Sequence, residues 1–358
     1  MNLPDELWPL VWQRASGTPW PPLSDDEAKL FFVTANDHGL LPLLMVAGGL
    51  PDSLEAAKSR HRAWAAIYRK RHDLSRAALP RLAEIVGADA FTCYKGSDFQ
   101  HRLYPDPALR PMSDLDVLVP RERFAELLDR LAAHGHDRKC GAHGAPFSPD
   151  HFEASIMFGE VHVELHQSFA QPVRNTIDYA GLMQRRETFV GDGLNLWRFS
   201  RADAILAQAF ELAKDEFASK LIRHVDFHLL IEGHNDLLPL CVARAKQWQI
   251  QRALFGALEL HRRLFPSVAG DAVVAAIDTL LTPRGRDRLR AHVLHGLDGH
   301  RNRAMQVQTK LNLIDSPWRR LALPVVAAWQ EAKGRMYERR ARRAGMVVPP
   351  RIRGASGG

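Results

Sequence analysis

Apolar residues recur at helical spacing from about residue 5 to residue 86. Ser24 stands as an N-cap ahead of Asp25, Asp26 and Glu27, and the helix that follows is expected to carry Leu30, Phe31 and Val33 on one apolar stripe. Residues 61–86 continue as one or two long amphipathic helices, and the apolar run 40–50 reads as buried core. The rhythm then changes. Residues 88–93 are short and apolar, residues 116–119 form a β-like run that stops at Pro120, and residues 161–165 alternate with period two. Between these runs, residues 122–134 read as a helix with Phe124, Leu127, Leu128 and Leu131 inward. A glycine-bearing loop with His134, His136, His143 and His151 follows, either solvated or placed to close over a substrate. A hairpin is expected over 189–199 around Gly191-Asp192-Gly193, after which Ser200 caps a largely helical region reaching about residue 343. The fold expected is α+β, a small mixed β-sheet flanked by helical N- and C-terminal regions. Its boundaries are 1–87 (helical), 88–199 (sheet), 200–345 (helical) and 346–358, a flexible Pro- and Gly-rich tail.

Length and composition add limits. With 358 residues and 46% hydrophobic content, the chain can bury a substantial core. The net charge of +7 would suit a polyanionic partner, yet the basic excess sits largely between Arg319 and Arg353. Net charge therefore does not by itself make this a nucleic-acid protein, and RNA binding through the tail after Arg335 is a separate hypothesis. The cysteines Cys93, Cys140 and Cys241 are far apart and odd in number, which indicates neither a disulfide framework nor a zinc finger. The start carries acids rather than a basic leader, and the most apolar run is shorter than the ~20 residues a membrane span needs. A cytoplasmic protein with no membrane among its partners is expected.

The chemistry concentrates in three short stretches. Asp114 and Asp116 lie two apart at the start of a strand, so both side chains leave the same face, and a bound cation is the usual way to keep two such charges together. Alternatively, Asp114 caps a turn with Ser113 while Asp116 pairs with Arg110. Glu164 sits between Val163 and Leu165, a costly place for an acid without a compensating charge. Lys95-Gly96-Ser97 follows an apolar run and opens a helix-compatible segment, offering backbone donors to a phosphate with Lys95 or Ser97 as added contacts. His162, Glu164 and His166 share a face; two imidazoles and a carboxylate would suit zinc or iron, whereas a hard cation on Glu164 leaves His166 to orient it. Arg223 and Asp226 form a plain intrahelical ion pair, or else Arg223 or Lys220 contacts nucleotide phosphate with Asp226 orienting the basic group.

Taken in order, a glycine-serine turn, an Asp-x-Asp strand and a lone acid on a later strand resemble the nucleotidyltransferase superfamily with the DNA polymerase beta type palm. The wording from Lys95-Gly96 through Tyr104-Pro105-Asp106-Pro107, Arg110-Pro111-Met112-Ser113-Asp114-Leu115-Asp116 and Glu164-Leu165-His166 is similar to the uncharacterised nucleotidyltransferase subfamily. Looser likeness extends to Asp37-His38-Gly39-Leu40 and Arg223-His224-Val225-Asp226, and Ser97 departs from the alanine of many relatives. The resemblance implies a palm over 88–199 in which Asp114, Asp116 and Glu164 bind Mg²⁺, or Mn²⁺ in its place, and catalyse transfer. Lys95, Gly96, Ser97, Arg110 and Arg223 would bind the nucleotide, with His166 and Asp226 behind them. The implied reaction moves a nucleoside monophosphate, AMP being favoured, from an NTP (ATP first) to a hydroxyl, with release of pyrophosphate. The acceptor is a small molecule, a peptide or a protein, with RNA the least favoured. A non-catalytic nucleotide- or partner-binding module on the same fold is the alternative.

Overall fold

A computed structural model describes residues 24–46, 52–60, 62–136, 138–139, 152–170, 174–266, 270–295 and 309–343. The helix Asp25–Asp37 begins as the pattern predicts. The Glu27 backbone N–H donates to Ser24 Oγ at 3.4 Å and the Ser24 N–H donates to the Glu27 carboxylate at 2.8 Å, a capping box that satisfies donors the first turn leaves open. Its buried face differs from the expected one: Ala28, Phe31, Phe32 and Ala35 point inward while Leu30 and Val33 are exposed. The i, i+3, i+4, i+7 spacing from Ala28 selects that set, and Leu30 falls outside its arc. Leu40, Leu41, Pro42 and Leu44 are buried as expected; residues 47–50 lie outside the described residues. The long pattern over 61–86 is one helix, Arg62–Val86, with Pro80 inside it.

Among the described residues the strands are β1 Thr92–Cys93, β2 Asp114–Leu118, β3 Arg138–Lys139, β4 Glu153–Phe158, β5 Val161–His166, β6 Glu187–Gly191 and β7 Leu194–Arg198. These seven form one mixed sheet in the order β3-β4-β5-β2-β1-β7-β6. The segment 88–93 is strand only at its end, because Gly87 at φ +91° turns the chain into a 3-10 turn over Ala88–Ala90. The β6–β7 hairpin stands where Gly191-Asp192-Gly193 predicts it, with Asp192 at φ +52° and Gly193 at φ +80°. β3, β4 and the helix Tyr179–Gln184 were not foreseen, and β3 lies in the stretch expected to be a glycine-bearing loop. β4 pairs antiparallel with β5 and buries Ala154, Ile156 and Phe158 at period two.

The pairing that matters for chemistry is β2 with β5. It is parallel and sets Asp114 opposite His162, Asp116 opposite Glu164 and Leu118 opposite His166. One face of these strands is apolar: Leu115, Val117, Ile156, Val163 and Leu165 form a core with Leu79 and Leu82 of the helix Arg62–Val86 and Leu127 and Leu131 of the helix Phe124–Ala133. Period-two alternation then delivers the acids to the other face. Around that face a second core joins Tyr94, Leu118, Phe169 and Phe199 to the helices Arg201–Lys214, Leu221–Ile231, Leu238–Trp248 and Gln251–Leu264.

The helix Leu221–Ile231 belongs to two cores. Phe227, Leu230 and Ile231 enter the C-terminal core, while Leu221, Ile222 and Val225 pack on Phe31, Phe32 and Leu41 of the N-terminal helices. The Ile222 N–H donates to the His38 carbonyl at 3.2 Å, and a Cβ on Gly39 (φ +74°) would stand 3.1 Å from Ile222 Cγ2. The segments around Gly39 and Arg223, far apart in sequence, therefore touch. Among the described residues no helix is long and apolar enough to cross a membrane, and Cys93 and Cys241 are buried free thiols.

Candidate active site

Parallel pairing of β2 and β5 gathers two overlapping sets of ligand atoms. Those of Asp114, His162 and Glu164 lie within 4.8 Å of one another, as do those of Asp116, Glu164 and His166. His166 is fully buried and holds the second set together, with Nε2 2.9 Å from Asp116 Oδ1 and 3.4 Å from Glu164 Oε2. The Tyr94 ring meets it edge-on at 5.2 Å, which fixes the imidazole plane. His162 stands nearer the rim, with Nδ1 3.8 Å from Glu164 Oε1. The two imidazoles fall in separate sets, so among the described residues the His162–Glu164–His166 trio considered for zinc or iron is not gathered as one ligand group.

The turn after β1 is tied to the same acids. Lys95 adopts φ +53°, an unfavourable conformation for a residue with a side chain, and opens the short helix Gly96–Arg102. Its ammonium lies 2.9 Å from Asp116 Oδ1 and 3.4 Å from Glu211 Oε2. Gly96 is required by close approach, because a Cβ would meet Met112 Sδ at 2.7 Å and Arg110 Nη1 at 3.1 Å. The Ser97 hydroxyl differs from the phosphate contact expected of it. It is buried, lies 2.6 Å from the Asp116 carbonyl and 2.7 Å from the Tyr94 carbonyl, and accepts from the Tyr94 N–H at 3.1 Å. With those contacts made, it ties the turn to the acid-bearing strand instead of facing a ligand.

Crowding shapes the protonation of the site. Burial, with Asp116 and Glu164 adding repulsion, pushes the Asp114 carboxyl up to about 6. Burial also opposes the Asp116 charge, but the Lys95 ammonium and the His166 hydrogen bond outweigh it and hold that carboxyl far below the usual range. Glu164 is lowered too, its burial outweighed chiefly by the His166 hydrogen bond. Burial and Lys95 disfavour an imidazolium at His166, yet its contacts with Asp116 and Glu164 prevail and raise it.

The arginines sit differently from the sequence expectation. Arg110 pairs with neither aspartate of β2: its Nη2 and Nε lie 2.6 and 3.2 Å from Asp226 Oδ2, and the Tyr104 hydroxyl donates to Asp226 Oδ1 at 2.8 Å. Arg110 Nη1 donates to the Pro111 carbonyl at 2.8 Å and so braces the segment leading into β2. Arg223 pairs with Asp215 rather than with Asp226, whose carboxylate is taken by Arg110 and Tyr104. Asp226 does orient a basic group, but that group is Arg110.

Glu211 and Lys214 escaped the sequence reading. Glu211 is buried on the helix Arg201–Lys214, with Lys214 Nζ at 2.9 Å and Lys95 Nζ at 3.4 Å. Burial disfavours its charge, but Lys214, Lys95 and Arg223 overcome this and bring it down to about 2. Arg174 also feels the Glu211 charge, and its Nε has no hydrogen-bond partner among the described residues. The available signal was an acid flanked by Phe210 and Leu212 in an otherwise apolar helical run.

Asp114, Asp116 and Glu164 offer the carboxylate oxygens that a hard divalent cation takes, with Lys95 and His166 paired to Asp116 beside them. The raised Asp114 carboxyl marks the negative charge such an ion would neutralise, so the residues fit a divalent metal. No curated protein and no solved structure matches the chain. The family model described as uncharacterised nucleotidyltransferase matches residues 24–266, from the capped first helix through the helices that carry Glu211 and Asp226, and the chain belongs to that family of enzymes.

Proposed function

We propose that the protein transfers a nucleoside monophosphate, AMP by preference, from a magnesium-bound NTP to a hydroxyl of a small molecule, peptide or protein. The observation that carries this reading is the convergence of Asp114, Asp116 and Glu164 on one sheet face beside the cations Lys95, Lys214 and Arg223. Held by the three acids, Mg²⁺ would neutralise the triphosphate and stabilise the attacking and leaving oxygens. Lys95, Lys214, Arg174 and Arg223 then draw the β- and γ-phosphates, the backbone at Gly96 allows close approach, and Arg110 holds the segment that positions Asp114. Glu164 accepts the proton of the acceptor hydroxyl as that oxygen attacks the α-phosphorus in line and pyrophosphate departs. His166 keeps the Glu164 carboxylate aimed through its 3.4 Å contact.

The test is incubation with each NTP labelled at the α-phosphate, Mg²⁺ and a cell extract, comparing the wild type with Asp114→Asn/Asp116→Asn. Label should enter an acceptor with the wild type only, and label at the γ-phosphate should not follow. Equal labelling by both proteins would remove the assigned site. Nucleotide binding without transfer to any acceptor would instead identify a binding module.

A further inference from the structure

The helix Pro317–Arg343 is built inside out. Its first turn is fastened by polar groups, Arg319 Nη1 donating to the Asn175 carbonyl at 2.8 Å and Arg320 Nε to the Ile314 carbonyl at 2.7 Å. Leu323 and Val326 are half-buried, but five large apolar side chains face outward: Trp318 is 80% exposed and Trp329 63%, with Leu321, Val325 and Met336 exposed beside them. At 3.6 residues per turn these five fall within an arc of roughly 80°, a single stripe from Trp318 to Met336, beyond which Arg339 and Arg343 occupy the same arc. Scattered exposed apolar residues are ordinary, but a continuous stripe with two tryptophans is not.

The same helix carries eight basic residues and two acids, and six of the basic ones fall between Lys333 and Arg343. A span is excluded by that charge. A second copy of the helix would bring like charges together, and a nucleic acid would leave the apolar stripe in water. One surface takes both features at adjacent depths: the interface of an anionic bilayer accepts tryptophan and aliphatic side chains below the headgroups and arginine among them. We propose, against the expectation of no membrane partner read from the sequence, that Pro317–Arg343 lies in the surface of a membrane rich in anionic phospholipid and holds the enzyme there. The inference is independent of the metal site and of the acceptor.

The full-length protein would be sedimented with phosphatidylcholine vesicles with and without phosphatidylglycerol, over a range of salt, while tryptophan emission is followed. Expected results are co-sedimentation with the anionic vesicles, a blue shift of the emission, and loss of binding as salt rises. Trp318→Ser/Trp329→Ser should weaken partitioning about tenfold or more, since interfacial affinity scales with buried apolar area. Arg339→Gln/Arg340→Gln/Arg342→Gln/Arg343→Gln should abolish the preference for anionic lipid. Trp318, Trp329, Arg339 and Arg343 are exposed, and an unaltered circular dichroism spectrum checks that the fold survives in both sets. Failure of the wild type to bind either vesicle, or equal binding by the tryptophan variant, would overturn the proposal. So would concentration-dependent dimerisation, or RNA binding, that the tryptophan variant loses while no vesicle is bound.

Discussion

Replacing Asp226 by asparagine should be among the most damaging single-atom changes in the protein. Arg110 and Asp226 are both buried, and two guanidinium nitrogens lie 2.6 and 3.2 Å from Oδ2. At an effective dielectric near 20, charges about 3 Å apart attract by about 5 kcal/mol. Most of that attraction offsets the cost of taking both ions out of water. The substitution removes the attraction and leaves the desolvation of Arg110 in place, so it should destabilise the fold by about 3–5 kcal/mol. The hydrogen bond from Tyr104 survives on the asparagine oxygen and sets the lower end of that range. Urea unfolding at constant m-value measures the loss, and a cycle with Arg110→Met tests the coupling. The double variant should be more stable than Asp226→Asn alone, because no unpaired charge remains. A loss below about 1 kcal/mol, or strictly additive effects, would refute the idea that this pair is a desolvated unit. Because Arg110 also holds the Pro111 carbonyl, the folded fraction of Asp226→Asn should transfer label more slowly than the wild type.

Four shorter predictions accompany it. Gly96→Ala should cost about 1–3 kcal/mol by overpacking against Met112, and Met112→Ala should recover part of that in a thermal melt; no recovery would place the strain elsewhere. Ser97→Ala should cost about 1–2 kcal/mol through its lost backbone contacts without changing the KM for NTP, and a raised KM would return its hydroxyl to the phosphate site. Burial brings the His224 imidazole down to about 4, so between pH 6.5 and 4 the unfolded chain binds a proton that the native state does not, and stability falls as pH falls. His224→Gln should remove about one proton from that slope in urea titrations, worth up to about 3 kcal/mol; an unchanged slope would show that His224 does not titrate on unfolding. Glu211→Gln leaves Lys95 and Lys214 without their shared acid, and its melting temperature should gain more from added tripolyphosphate than that of the wild type; equal gains would remove these cations from the phosphate site.

Much of the site was legible because it rests on short-range geometry. Two aspartates at i and i+2 on a strand share a face whatever surrounds them, and the alternation of Val161, Val163 and Leu165 sends His162, Glu164 and His166 to the opposite side. Ser24 and Ser200 were readable as caps for the same reason, since a cap is decided within four residues. The arginines were not readable. Arg110 and Arg223 each had a carboxylate close in sequence, but their partners proved to be Asp226 and Asp215, chosen by which helix is packed against which segment. Glu211 looked like one acid among apolar neighbours until the helix carrying it was laid beside Lys95. The Ser97 hydroxyl looked free until the turn was folded back onto β2.

The sequence by itself determined the α+β class, the strand carrying the paired aspartates, the strand carrying the glutamate and the hairpin turn, because hydrophobic period, backbone φ and capping are local properties. Only the tertiary structure decided that β2 and β5 run parallel in a register placing Asp116 against Glu164, that four cations gather around Glu211, and that Arg110 answers to Asp226. It also decided which apolar residues remain outside, turning the stripe of Trp318 and Trp329 away from the core. The physical reason is one throughout. Periodicity says which side chains share a face, whereas the partner of that face, and the charge and water it meets, are set by packing between segments far apart in the chain.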